Sequence, residues 1–244
     1  MITEQAIRDK AASAVRHFWK CRATQKKEQG TKRGVKDTGS RSAVTGGKQL
    51  DGFVQAVASI IQDTGATETS IFTGSRGATN LPGYFRAEKN WDLLVVGDGR
   101  LLACVEFKSQ VGSFGNNFNN RCEESIGNAH DFWTAYREGA FKGPLRPWLG
   151  YLMLLEDAPA ARCPVNVREP HFKVFPEFRG ASYATRYQLL MRRLLRERLY
   201  DGAGFLMSNR KDGAKGIYIE PDPEIGFVTF ARSLHAHVAA HVAG

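Results

Sequence analysis

Asp92, Glu106 and Lys108 are the residues whose types and spacing could do chemistry in this chain. They sit in the stretch W-D-L-L-V-V-G-D-G-R-L-L-A-C-V-E-F-K, residues 91–108. Two apolar runs, Leu93–Val96 and Leu101–Val105, flank Gly97-Asp98-Gly99, the pattern of a buried β-hairpin. Side chains alternate along a strand, so Glu106 and Lys108 share one face while Phe107 takes the other. A carboxylate or ammonium is costly to bury unless it is paired or binds a metal. Two acids and a lysine at the end of an apolar hairpin therefore point to a metal site with a catalytic lysine. A plain surface ion pair fits poorly, because Val105 and Phe107 bracket Glu106 with apolar side chains.

Whether Asp92 joins that face depends on the turn. A two-residue Asp98-Gly99 turn would send Asp92 to the face opposite Glu106. A three-residue loop, Gly97-Asp98-Gly99, places Asp92 with Cys104, Glu106 and Lys108. Gly99 suits the left-handed third position of such a loop, so the three-residue form is expected.

Charge adds a second clue. Of the 34 Lys and Arg, twelve lie within residues 8–48 against only Asp9, Glu28 and Asp37, and this segment carries the whole net charge of +9. A basic segment beside a neutral body points to a polyanion, here nucleic acid, over a merely solvated helix face. Its Gly/Ser/Thr-rich second half, with a weak apolar stripe, argues against a membrane surface. The expected DNA contacts are Lys26, Lys27, Lys32, Arg33, Lys36, Arg41 and Lys48, then Asn119 and Arg121, then Asn209, Arg210 and Lys211. Cys21, Cys104, Cys122 and Cys163 lack C-x-x-C spacing, which indicates reduced thiols and no zinc or disulfide framework. With no run of 18 apolar residues and no apolar leader in Met1–Gln5, a cytoplasmic protein is expected.

These residues need elements to hold them. The periodicity predicts a helix over 3–28 with Ile7, Ala11, Ala14, Val15 and Phe18 on one face, and a Gly/Lys-rich loop over 30–47. A helix over 50–64 turns Phe53, Val54, Val57, Ile60 and Ile61 inward, and 69–73 reads as a short strand. Residues 113–120 read as a polar loop, and 121–138 as a helix carrying Ile126, Ala129, Phe132, Trp133 and Tyr136. Leu149–Leu155 reads as a central strand. A helix over 183–200 packs Tyr187, Leu190, Met191, Leu194 and Leu195, with Arg186, Arg192, Arg193, Arg196 and Arg198 around that face, either tracking phosphates or simply solvated. Strands are expected over 204–207 and 216–219, and a last helix over 234–242. The fold class is α/β: a mixed central sheet flanked by helices, in one domain over 1–244, with a basic N-terminal segment (1–48) ahead of a core (49–244). His237 and His241 read as surface histidines, Gly112–Gly115 lacks the lysine of a phosphate loop, and Glu68 and Glu88 are candidate extra acids.

Asp92, Glu106 and Lys108 resemble the PD-(D/E)xK nuclease signature, with Asn90-Trp91-Asp92 where the pattern has Pro-Asp. Two further stretches, Thr45-Gly46-Gly47-Lys48-Gln49-Leu50-Asp51-Gly52-Phe53 and Arg121-Cys122-Glu123-Glu124-Ser125-Ile126-Gly127-Asn128-Ala129, extend the likeness. Over essentially its whole length the chain resembles the XhoI family of type II restriction endonucleases. That resemblance implies a PD-(D/E)xK core and a homodimer. It implies Mg²⁺-dependent cleavage of both strands of double-stranded CTCGAG after the first cytosine. It also makes Asp92, Glu106 and Lys108 the catalytic acid, acid and lysine. Mg²⁺ takes oxygen ligands, which Asp92, Glu106 and the Phe107 carbonyl would supply. Two other readings share the scaffold: a sequence-nonspecific repair or recombination nuclease, and a DNA-binding protein without catalysis.

Overall fold

The computed structural model describes residues 2–31, 48–65, 70–74 and 77–242, without the side chains of 25–31 and 242. A five-stranded sheet lies at the centre. It comprises β1 (Ile71–Thr73), β4 (Leu93–Gly97), β5 (Arg100–Gln110), β6 (Trp148–Glu156) and β7 (Gly202–Ser208), hydrogen-bonded in that order. The pairs β1–β4 and β4–β5 are antiparallel, whereas β5–β6 and β6–β7 are parallel, so the sheet is mixed. A separate two-stranded hairpin, β2 (Asn80–Pro82) and β3 (Glu88–Asn90), precedes β4.

Helices cover both faces. Leu93 and Val95 of β4 and Val105 and Phe107 of β5 pack with α1 (Glu4–Thr31), α2 (Asp51–Gln62) and α7 (Phe227–Val242). Leu94 and Cys104 pack on the other face with α3 (Phe114–Arg137) and α5 (Tyr183–Arg196), and the short α4 (Pro159–Arg162) lies between these two in sequence. Because β6 is covered on both sides, its sequence W-L-G-Y-L-M-L-L is continuously apolar rather than alternating. The first half of α1 is core material: Ile7, Ala11, Val15 and Phe18 are fully buried.

Three expectations are corrected. The hairpin turn has two residues, Asp98 (φ 52°) and Gly99 (φ 70°), flanked by the pair Gly97–Arg100. Asp-Gly in a left-handed pair is the turn whose twist matches its strands. That turn alone would have put Asp92 on the wrong face. A β-bulge repairs the parity, because Val96 pairs with Leu101 but Val95 pairs with Ala103. Leu102 is the extra residue, and it faces the same core as Ala103. One inserted residue exchanges faces for everything beyond it.

Second, residues 114–120 are helical, since α3 starts at Phe114. Its Gly and Asn residues are poor helix formers, but Phe118 packs against Tyr187 at 5.1 Å between ring centroids and Phe114 stacks on Tyr183 at 6.2 Å. Burying that i, i+4 pair overrides propensity. Ile126 on the same helix is exposed. Third, residues 216–219 add only one bridge, Met207 to Ile219, to the sheet. Pro221 and Pro223 follow and lack the amides a ladder needs. The loop expected over 30–47 falls almost wholly outside the described residues, as does Glu68.

Candidate active site

The bulged register sets Asp92 across from Glu106, on the sheet face covered by α3 and α5. The Phe107 amide donates to Asp92 Oδ2 at 2.7 Å, which fixes the first carboxylate against the second strand. Glu106 is only 2% exposed. Its two oxygens are held by two lysines: Lys108 Nζ at 2.5 Å from Oε1, and Lys89 Nζ at 3.0 Å from Oε2.

Charge is not balanced evenly across this cluster. Burial first, and the neighbouring Glu106 second, push the Asp92 carboxyl up to about 6, outweighing the Phe107 amide and the two lysines. Burial works against the Lys108 ammonium, but Glu106, then Asp92 and Glu124, raise its pKa above the ordinary lysine value. Lys108 is therefore a held cation, while Asp92 is an acid short of positive charge.

That shortage bears on whether a divalent ion fits. Two hard-oxygen carboxylates on one face suit a divalent cation. Among the described residues no group of three or more His, Cys, Asp and Glu gathers that could hold a metal ion. A carbonyl such as that of Phe107, and water, would have to complete the shell.

Lys89 escaped the sequence reading. It lies between Glu88 and Asn90 on β3, sits 4.4 Å above the Trp91 ring and points to Glu106. Glu88, one residue earlier, is exposed and accepts a hydrogen bond from Asn80 at 2.8 Å, so alternation turns it away from the site. The only signal for Lys89 was strand alternation within E-K-N, three residues too polar to read as a strand.

The expected DNA contacts spread over several places. Lys26 and Lys27 belong to α1 but their side chains lie outside the described residues, as do Lys32, Arg33, Lys36 and Arg41. Exposed Lys48 stands where α1 meets α2, its carbonyl 3.1 Å from His17 Nε2. Nearby, Arg22 donates to Gln49 at 3.4 Å, and Gln49 to Ser109 of β5 at 3.2 Å. Burial chiefly, with Arg210 also close, lowers the Arg22 pKa. Arg22, Lys48 and Arg210 thus collect around the C-terminal ends of the parallel strands, next to the end of β5 that carries Lys108. Arg210 and Lys211 are exposed on α6 (Arg210–Gly213), and Asn209 caps it by accepting from the Asp212 amide at 2.9 Å. Asn119 is exposed on α3, whereas Arg121 pairs with Glu124 and its Nε is buried without a partner.

The arginines of α5 are engaged within the chain. Arg186 donates to the Ala181 and Val165 carbonyls, each at 3.2 Å. Arg192 pairs with Asp222, Arg193 with Glu177 and Arg196 with Glu224. His237 and His241 touch each other with ring centroids 5.0 Å apart on α7.

A mixed five-stranded sheet between helical layers, with two acids and a lysine on its bulged hairpin, defines a restriction-endonuclease-like core. The family model described as Restriction endonuclease XhoI matches residues 28–220. Similar proteins are the type II restriction enzyme BstVI of Geobacillus stearothermophilus, 53% identical over 85% of this chain and 95% of its own length. The type II restriction enzyme AbrI of Azospirillum brasilense is 50% identical over 67% of this chain and 73% of its own. The type II restriction enzyme XhoI of Xanthomonas vasicola is 48% identical over 64% of each. No solved structure matches. The chain belongs to the XhoI family of restriction endonucleases, and it is a type II restriction enzyme, a site-specific deoxyribonuclease acting on DNA. No described helix is long and apolar enough to cross a membrane.

Proposed function

We propose that this enzyme cleaves both strands of the palindrome CTCGAG after the first cytosine, as a homodimer with Mg²⁺. The recognised sequence rests on the family resemblance. The catalytic assignment rests on one observation, Asp92 and Glu106 brought together on one face with Lys108 on Glu106. Asp92 and Glu106 would hold the ion, with the Phe107 carbonyl. The chemistry a bound Mg²⁺ supplies there is charge neutralisation at the scissile phosphate and acidification of a nearby water.

The chain's own groups do the rest. The Phe107 amide keeps Asp92 aimed at the site, and Glu106 keeps the Lys108 ammonium from swinging into solvent. Lys108 orients the attacking water and stabilises the charge that grows on the phosphoryl oxygens. A bond forms from water oxygen to phosphorus and the bond from phosphorus to O3′ breaks, leaving a 3′-hydroxyl and a 5′-phosphate. One such hairpin cuts one strand. A two-fold dimer on a palindrome presents two, one to each strand.

Digestion of a plasmid bearing a single CTCGAG, with Mg²⁺ and with chelator, tests the reading. A single linear product with 5′-phosphate ends at that site, made only with Mg²⁺, is expected. Discrete cuts elsewhere would replace the sequence, and a smear would favour a nonspecific nuclease. Sedimentation of the active enzyme should show a dimer, and a monomer with full double-strand activity would overturn that part.

A pH dependence follows from the Asp92 carboxyl at about 6. Because folding raises it, the protonated form is favoured, and a cation must displace that proton when the pH lies below this value. Mg²⁺ affinity of the DNA-free enzyme should then fall about tenfold per pH unit below about 6 and level off above it. Titration calorimetry between about pH 5 and 8 would show the break. A flat profile would remove Asp92 from the ion's ligands.

A further inference from the structure

The turn joining β2 to β3, residues 83–87, is built around a buried carboxylate. Asp131 of α3 is 5% exposed. The amides of Tyr84 and Phe85 both donate to its Oδ1 at 2.8 Å, and Arg86 Nε donates to Oδ2 at 2.7 Å. Arg86 Nη2 reaches Asn128 at 2.8 Å on the next turn of the helix. Gly83 passes so close that a Cβ would lie 2.7 Å from Asp131 Oδ2. Burial opposes the Asp131 charge, yet the two amides and the guanidinium hold its carboxyl below the usual range.

This clasp fixes a turn that displays two aromatic rings to solvent. Tyr84 is 54% exposed and Phe85 66%. The rings meet edge to face at 4.9 Å, and Phe85 stacks on exposed His130 at 5.5 Å and 20°. Water disfavours such a display, and a buried four-bond anchor is a large investment for a turn with nothing to contact. The same hairpin runs straight into the site, since Lys89 lies four residues beyond Phe85 and touches Glu106. Four residues even fully extended reach at most about 14 Å, so Phe85 lies within roughly four base-pair steps of Lys89 along a duplex. A duplex whose phosphate lies at Glu106 therefore passes the two rings within the length of a short recognition site.

We propose that Tyr84 and Phe85 form a wedge that stacks on bases of the bound duplex, and that Asp131 holds the wedge in place. Rigid apolar side chains inserted at a base step unstack it and bend the helix, which lets a protein discriminate steps by their deformability. The proposal rests on the catalytic assignment of Glu106 and Lys108, since their position sets where the duplex lies.

The test uses a duplex carrying a sequence the wild-type enzyme cuts, with 2-aminopurine placed in turn at each position of the site and its flanks. Binding is measured in a Lys108→Ala background with Ca²⁺, so that no strand is cut. A fluorescence rise at one step is expected with the parent. Tyr84→Ala with Phe85→Ala should abolish that rise and weaken binding roughly tenfold or more, as loss of a stacked base does. The salt slope should stay unchanged, because no phosphate contact is lost. Phe85→Trp should keep the signal. Asp131→Asn, which retains an acceptor but not the charge, should lower the signal without changing far-ultraviolet circular dichroism. Unchanged affinity and fluorescence in the double variant would overturn the wedge. So would a changed sedimentation coefficient with intact DNA binding, which would make the rings a protein interface. Cleavage by Lys108→Ala itself would instead sink the catalytic assignment, a separate readout.

Discussion

Asp92→Ala, Glu106→Ala and Lys108→Ala are each expected to abolish cleavage, by more than roughly 10³-fold, because each removes a charge that a phosphodiester hydrolysis needs at the scissile bond. The three should differ in rescue and in stability. High Mg²⁺ or Mn²⁺ should restore part of the activity of the Asp92 and Glu106 variants, where ion affinity is lost, but not of the Lys108 variant. Glu106→Ala removes the carboxylate that both Lys89 and Lys108 contact and leaves Asp92 as their nearest acid, and breaking such a buried pair costs about 3–5 kcal/mol. Glu106→Gln keeps the shape and separates catalysis from folding. Lys108→Ala is milder, since Lys89 still pairs with Glu106. Asp92→Asn keeps an acceptor for the Phe107 amide, which Asp92→Ala orphans. A cleavage assay on defined plasmid, with denaturant unfolding of each variant, checks all of this. Near-wild-type cutting by any one of the three would remove that residue from the site.

DNA affinity should fall roughly 10³–10⁵-fold between about 50 and 200 mM salt if six to ten phosphates are contacted. Residues 8–48 hold the whole excess of positive charge, and they lead to Lys48 beside Arg22 and Arg210 at the edge that carries the site. Replacing Lys26, Lys27, Lys32 and Arg33 by Gln should flatten the log–log slope by roughly 0.9 for each lost contact. Fluorescence anisotropy with a cleavage-dead variant reads the slope directly. An unchanged slope would mean that these four side chains remain solvated when DNA is bound. Two arginines of α5 serve as a control, because Arg192 pairs with Asp222 and Arg193 with Glu177, and each carboxylate offsets the guanidinium's charge. Arg192→Gln, whose partner Asp222 is buried, should leave the slope unaltered.

The sequence by itself determined the elements whose signal is local. Ile7, Ala11, Ala14, Val15 and Phe18 recur at helical spacing, and all lie in the core. Leu149–Leu155 is too short and too apolar for a surface helix and lies inside the sheet, between β5 and β7. The hairpin with Asp92, Glu106 and Lys108 could be read because buried charge is rare enough to stand out among valines and leucines. What the tertiary structure decided was parity, the start of α3 and the partners of the site. Asp92 faces Glu106 through a bulge at Leu102, not through a longer turn, and a bulge among Leu101, Leu102 and Ala103 leaves no mark in an apolar run. The helix begins at Phe114 because Tyr183 and Tyr187, some seventy residues away, bury its first turns. Lys89 and Asp131 also act beyond their own elements: one is drawn to Glu106, 17 residues on, by charge, and the other clasps the Tyr84–Arg86 turn from 47 to 45 residues away. Local periodicity records which side of an element is buried. Only the packed chain decides which distant charge a buried carboxylate will meet.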